Sequence, residues 1–296
     1  MKRKVHARVI VAMITPFDAD HAVDYASASA LGRYLVDSGA DGILVSGTTG
    51  ESPTLQDEEK LKLLETVLDE VGDEAEVWVG TGTNDTAPTV ALTRRAAEAG
   101  AHGVMLVTPY YNKPPQHGLR AHFEEAAGAC ELPVMLYNVP SRTGVDLAPE
   151  TIARLAEIDN VVAVKEAAGD VNRVAHIRQL AGDKLLIYSG DDPLTLPMLS
   201  VGAWGVVSVA AHLVAGGIAR MINAYTEGNV QEARDLHARL LPLFEAMFVS
   251  TNPIPVKTSV EMIGRGRAVF RPPLVALERP KKDYLEKVLR SLQLLD

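Results

Sequence analysis

The chain has a single cysteine in 296 residues. A lone Cys130 excludes an intrachain disulfide and fits a reducing cytosol. With no histidine or basic group close in sequence, it reads as a small, partly buried core residue rather than a reactive thiol. Long apolar runs are missing as well. No stretch reaches the ~18 consecutive apolar residues that a membrane-spanning helix needs. The opening MKRKVHARVIVAMITPF has basic residues ahead of an apolar run, as a secretion signal does. The run at 9–14 is too short for that purpose, and no small-residue cleavage site follows, so it reads as the first strand. Positive charge is in deficit: 29 Lys and Arg against 38 Asp and Glu leave a net charge of −9. Such a chain repels nucleic acid and anionic membrane surfaces in bulk, so any anion site must be local. The histidines make no metal pattern, since His117 and His122 lie five apart and His102 and His212 stand alone. No internal repeat, low-complexity tract or nucleotide loop is present. GTTGES at 47–52 lacks the G-x-x-x-x-G-K-[ST] spacing, and GTGTND at 80–85 does not complete G-x-G-x-x-G.

What is present is alternation. Apolar residues make up 47% of the chain, ample for a sizeable core. Short apolar runs at 9–14, 43–45, 77–79, 104–107, 134–137, 161–164, 185–188 and 206–209 read as eight strands. Their unbroken apolar character suits strands covered on both faces, as in parallel sheets. Amphipathic segments separate them. DEEKLKLLETVLDEVG puts Leu61, Leu64, Val67, Leu68 and Val71 on one face and stops at Gly72. A second helix starts at Asp85 or Thr86, and Pro149 sits near the start of a third. Eight βα units without a linker predict a (β/α)8 barrel over 1–228, carrying the active site. From 229 to 296 the pattern is helical and too long for the eighth barrel helix alone. It predicts a C-terminal extension of about three helices packed on the barrel.

In such barrels, chemistry gathers where the strands end. Those ends carry Thr15, Ser46 to Glu51, Gly80 to Asn84, Thr108 to Lys113, Tyr137 to Gly144, Lys165-Glu166, Ser189 to Asp192 and Ser208, whereas the opposite ends carry ordinary loop residues. Lys165 closes VVAVK, and strand alternation places Val161, Ala163 and Lys165 on one face. A lysine at a strand end ordinarily snorkels to solvent. If this face points inward, burial favours the neutral amine, a nucleophile toward a carbonyl. Tyrosine at the end of the neighbouring strand and the Thr48-Thr49 loop favour the inward reading. The backbone N–H groups of such a turn, with hydroxyls beside them, suit a small carboxylate. Arg142 offers a planar fork for a second carboxylate. Tyr137 and Tyr111 with Thr48 suit a proton relay.

The motifs SGTTGES, VTPYYNKP, LYNVPSRTG, VKEAAGD, SGDD, GVVSV and NPIPVK resemble, in order and spacing from Val11 to about Leu274, the 4-hydroxy-tetrahydrodipicolinate synthase (dihydrodipicolinate synthase) family. That family belongs to the pyruvate-dependent class I aldolases, with N-acetylneuraminate lyase. The resemblance implies a lyase of lysine and diaminopimelate biosynthesis. It would condense pyruvate with L-aspartate 4-semialdehyde through a Schiff base on Lys165, with no other cofactor and no metal. It implies that Tyr137, Thr48 and Tyr111 relay protons, Tyr111 coming from a neighbouring subunit. Thr49, Gly190 and the backbone near Val207 would bind pyruvate, and Arg142 the carboxylate of the semialdehyde. A cytoplasmic homotetramer, a dimer of dimers, is implied, with no nucleic-acid or membrane partner. Members inhibited by L-lysine resemble this chain at Asn84 and Tyr110, the expected allosteric cleft. They carry histidines and a glutamate where this chain has Asp57, Lys60 and Pro88, so weak or absent inhibition is expected. RPPL at 271–274 departs from the usual Arg-Leu-Pro. Two alternatives are another pyruvate-dependent aldolase, acting on a sugar acid or hydroxy-oxo acid, and a keto-acid-binding barrel without turnover. Arg142 in its YNVPSRTG context and NPIPVK favour the synthase over the sugar-acid lyases. Lys165, Tyr137 and Thr48 speak against the non-catalytic barrel. Glu51 has no assigned chemistry and is expected to brace its loop.

Overall fold

The computed structural model describes residues 5–295; the basic residues at 2–4 of the opening segment lie outside the described residues. Eight strands follow the expected runs: β1 (Val9–Ala12), β2 (Gly42–Val45), β3 (Glu76–Gly80), β4 (Gly103–Val107), β5 (Val134–Asn138), β6 (Val161–Glu166), β7 (Leu186–Ser189) and β8 (Gly205–Ser208). All pair in parallel in chain order, and β8 closes onto β1. Nearly every strand residue is buried, as expected of strands with helices on one face and the barrel interior on the other. The first run gives up its last two residues, because the Ile14 N–H leaves the ladder for the His212 ring at 3.0 Å.

Strict alternation, which would place Val161, Ala163 and Lys165 on one face, does not hold along β6. Val134 pairs with Val161, but the next pair is Met135 with Ala163, so Val162 is an extra residue. Val161 therefore packs with Val164 against the helices, while Val162 and Ala163 both enter the barrel interior. An inserted residue reverses the alternation behind it. Lys165, downstream of the bulge, keeps the inward direction and pairs in register with Tyr137 on one side and Tyr188 on the other.

The barrel interior is filled by Ile10, Ala12, Leu44, Trp78, Met105, Met135, Ala163 and Val207. Gly103 is required here, since a Cβ at that position would run into the Trp78 ring. Helices cover the outside. That at Asp57–Val71 starts on a reciprocal cap, the Gln56 N–H donating to Glu59 Oε2 at 2.9 Å, and ends at Gly72. The helix at Thr86–Glu98 is capped by Asp85, and Pro149 opens the helix at Pro149–Leu155. Cys130 is half-buried, and burial holds its thiol above its usual pKa.

Beyond the barrel helix Ala211–Thr226 come three more helices, Val230–Ala246, Ile254–Met262 and Arg279–Ser291. The first packs along Ala211–Thr226 and the last two pack on each other. No helix of the described residues is long and apolar enough to cross a membrane.

Candidate active site

Lys165 stands at the mouth of the barrel, 5% exposed, with Nζ 4.3 Å from the centroid of the Tyr137 ring. Among the described residues no carboxylate forms an ion pair with it. Gly190 makes room for its stem, because a Cβ there would lie 3.0 Å from Lys165 Cε and 2.7 Å from Ala167 Cβ. The amine opens into a cavity of about 510 Å³ lined by Thr48, Thr49, Tyr137, Arg142, Gly190 and Asp191, among others. Lys165, Thr48, Thr49, Tyr137, Arg142 and Gly190, six residues singled out in the sequence from four strand ends, thus meet in one space.

The Gly47–Gly50 loop turns on two backbone bonds, Glu51 N–H to Thr48 O at 3.1 Å and Ser52 N–H to Gly47 O at 3.2 Å. The Thr15 hydroxyl pins it by donating to Gly50 O at 2.7 Å. Among the described residues the N–H groups of Thr48 and Thr49 donate to no acceptor. Free amides beside two hydroxyls form a small anion-binding concavity.

Glu51 adopts a left-handed backbone conformation (φ 56) at the end of this loop and points away from the cavity. Its carboxylate meets Lys257 Nζ at 2.6 Å, with both side chains buried, and accepts from the Arg271 N–H at 3.1 Å. The loop is thereby fastened to the C-terminal extension. Burial pulls the Lys257 ammonium down to a pKa of about 8 against the opposing pull of Glu51.

Behind the reacting face lies a second polar layer. Asn138 and Glu166 follow Tyr137 and Lys165 in their strands and so point outward. Asn138 Nδ2 donates to Glu166 Oε1 at 3.0 Å and to Asp146 at 2.9 Å, and Arg173 bonds both carboxylates. Burial raises the Glu166 pKa, with Arg173 pulling the other way. Asp192 is buried at the end of β7, where Oδ2 accepts from the N–H groups of Val209 and Ala210. Burial raises its pKa too, and the Ser208 bond opposes that shift.

Not every singled-out residue reaches the cavity. Val207 is enclosed in the barrel interior. Tyr111 is 88% exposed on the loop after β4, at φ 73, away from Lys165. Tyr110 lines a second cavity of about 250 Å³ with Ser46, Ser52 and Lys60, which shares Thr48, Tyr137 and Arg142 with the first. Asn84 does not line it; its carbonyl accepts from Asn112 Nδ2 at 2.8 Å.

Sequence reasoning missed the contribution of the extension. Phe244, Glu245, Phe248 and Asn252 form one wall of the main cavity. Asn252 Nδ2 donates to Thr49 Oγ1 at 3.0 Å, and its backbone carbonyl accepts from Arg142 Nη2 at 3.4 Å. The available signal was NPIPVK, which carries both Asn252 and Lys257, but nothing in it specified a partner about 200 residues upstream.

An unpaired buried amine at the mouth of a closed parallel barrel, with a phenol and a carboxylate cradle beside it, defines the class of lysine-dependent aldolase barrels. Within that class, the chain belongs to the dihydrodipicolinate synthetase family, whose model matches residues 5–292. It is 52% identical to the 4-hydroxy-tetrahydrodipicolinate synthase of Desulforudis audaxviator, over 97% of this chain and 98% of that one. It is 53% identical to the enzyme of the same name from Synechococcus sp. strain CC9605, over 97% and 95%. Among solved structures, dihydrodipicolinate synthase of Cyanidioschyzon merolae with lysine bound superposes with a TM-score of 0.95. It is 43% identical to this chain and covers 97% of it, with 98% of its own length matched.

Proposed function

We propose that the chain condenses pyruvate with L-aspartate 4-semialdehyde to 4-hydroxy-tetrahydrodipicolinate, a step of lysine and diaminopimelate biosynthesis in the cytoplasm. The observation that carries this reading is Lys165: a buried amine, unpaired among the described residues, beside Tyr137 and facing Thr48, Thr49 and Arg142.

Lys165 Nζ attacks the keto carbon of pyruvate and water leaves, giving an iminium. The iminium is the electron sink, so a proton is lost from the methyl carbon and an enamine forms. Tyr137 and Thr48 carry protons to and from these centres, and Tyr111 of a neighbouring subunit completes the relay. The exposure of Tyr111 in the single chain supports this assembly, which we take to be a homotetramer. Thr49 and its loop amides hold the pyruvate carboxylate, with Gly190 and the backbone near Val207 beside it. The enamine carbon then attacks the aldehyde, whose carboxylate rests on Arg142. The substrate's own amine adds to the iminium carbon, closes the ring and expels Lys165.

A coupled assay with pyruvate and L-aspartate 4-semialdehyde tests this against action on a sugar acid or hydroxy-oxo acid. Turnover of the semialdehyde alone among these aldehydes is expected. Preference for a sugar-derived aldehyde would overturn the reading. Arg142→Ala should lower kcat/KM for the semialdehyde roughly 10- to 100-fold, the loss expected for a charged hydrogen bond, while pyruvate still forms its adduct.

A further inference from the structure

Asn252 presents two ends to two different neighbours. Its Nδ2 donates to Thr49 Oγ1, so the other end, Oδ1, is a carbonyl acceptor. That oxygen is buried and has no hydrogen-bond partner among the described residues. The residue is 6% exposed and lines the main cavity with Lys165, Arg142 and Asp191. Buried acceptors are rarely left unpaired, because the group has given up water for nothing. An asparagine that served only to prop Thr49 would need its donor alone.

The unpaired acceptor restricts what faces it. It repels a carboxylate, so neither pyruvate's carboxylate nor that of the second substrate fits there. An N–H donor fits. Its location narrows the choice further, since the backbone carbonyl of the same residue lies 3.4 Å from Arg142 Nη2. A ligand whose carboxylate is held by Arg142 and whose ammonium sits on the adjacent carbon would bring that ammonium to this wall. Asp191 on the same cavity adds a second acceptor.

We infer that Asn252 Oδ1 receives the α-ammonium of the aldehyde substrate while Arg142 holds its carboxylate, so that the cavity selects an amino-acid semialdehyde over the same aldehyde without its amino group. This rests on the proposed function and names the residue that would enforce its substrate class.

The test compares L-aspartate 4-semialdehyde with 4-oxobutanoate, which differs only in lacking the amine. Asn252→Leu removes the acceptor at similar volume, and Asn252→Asp keeps it. Formation of the pyruvate adduct shows that each variant is folded. For the leucine variant, KM for the amino semialdehyde should rise roughly 10- to 100-fold, the loss expected for one hydrogen bond to a charged group. The inhibition constant of 4-oxobutanoate should stay within about twofold, and the aspartate variant should keep the wild-type preference. If both compounds weaken together, Asn252 acts only through Thr49 and Arg142, and the inference falls. It also falls if neither changes. Should the wild-type enzyme not turn over the semialdehyde at all, the proposed reaction fails on its own. The two compounds are then compared by calorimetry on enzyme trapped with pyruvate, where equal affinities would overturn ammonium selection.

Discussion

Replacing Lys257 by methionine removes an ammonium from the interior and leaves its partner behind. Lys257 Nζ sits 2.6 Å from Glu51 Oε1 and 4.1 Å from the centroid of the Phe17 ring, with both charged side chains out of solvent. Methionine matches the stem in length, so little packing is lost. The cost arises from Glu51, whose carboxylate would stay buried with only the Arg271 N–H at 3.1 Å to satisfy it. Breaking a buried pair from one side typically costs about 3–5 kcal/mol. Adding Glu51→Gln removes the stranded charge and still offers an acceptor to Arg271. The double variant should therefore recover about 2 kcal/mol or more of the loss. Urea unfolding of the wild type, both single variants and the double variant measures the coupling. The pyruvate KM of Lys257→Met should rise as well, because Glu51 ends the loop that carries Thr48 and Thr49. A single-variant cost below about 1 kcal/mol, or simple additivity of the two changes, would refute the reasoning.

His212 is fully buried; Nε2 accepts from the Ile14 N–H and Nδ1 donates to Val209 O, and burial holds its pKa down to about 4. An unfolded imidazole titrates near 6.5, so between those values the unfolded chain binds a proton that the fold refuses. Stability should fall as pH drops from about 6.5 to 4, by up to about 3 kcal/mol, and His212→Gln should flatten that slope in acid titrations; an unchanged slope would contradict the assignment. Tyr137→Phe keeps the ring against Lys165 but removes the hydroxyl proposed to relay protons, and kcat should drop roughly 10²- to 10⁴-fold. A steady-state rate within a few fold of wild type would remove Tyr137 from the relay. L-Lysine should inhibit weakly or not at all, since Lys60 lines the cavity that contains Tyr110 and brings a like charge close to any lysine bound there. Strong inhibition at physiological lysine would contradict this.

Local signals in the sequence carried most of the barrel. Strand ends were marked by the change from apolar runs to Gly, Thr, Asn and Asp, and that change also located Thr48, Tyr137, Arg142 and Lys165 on one face. Local reasoning failed where local rules are broken or where partners are distant. The bulge at Val162 turned Val161 outward, because periodicity in one strand carries no information about an extra residue opposite its neighbour. Asn252 bonds Thr49 across 203 positions and Lys257 bonds Glu51 across 206. Only the packing of the extension over the barrel mouth creates those contacts. Tyr111 looked like a rim residue by position, yet its turn carries it into solvent, where a second subunit would be needed to give it a role.

In the proposed reaction Lys165 is the amine that captures pyruvate. Incubation of the protein with pyruvate and borohydride, followed by peptide mass spectrometry, tests it directly. One reduced pyruvate on the peptide carrying Lys165 is expected, with no modification in Lys165→Arg. Labelling of any other lysine in place of Lys165, or no adduct at all, would exclude Lys165 as the Schiff-base residue.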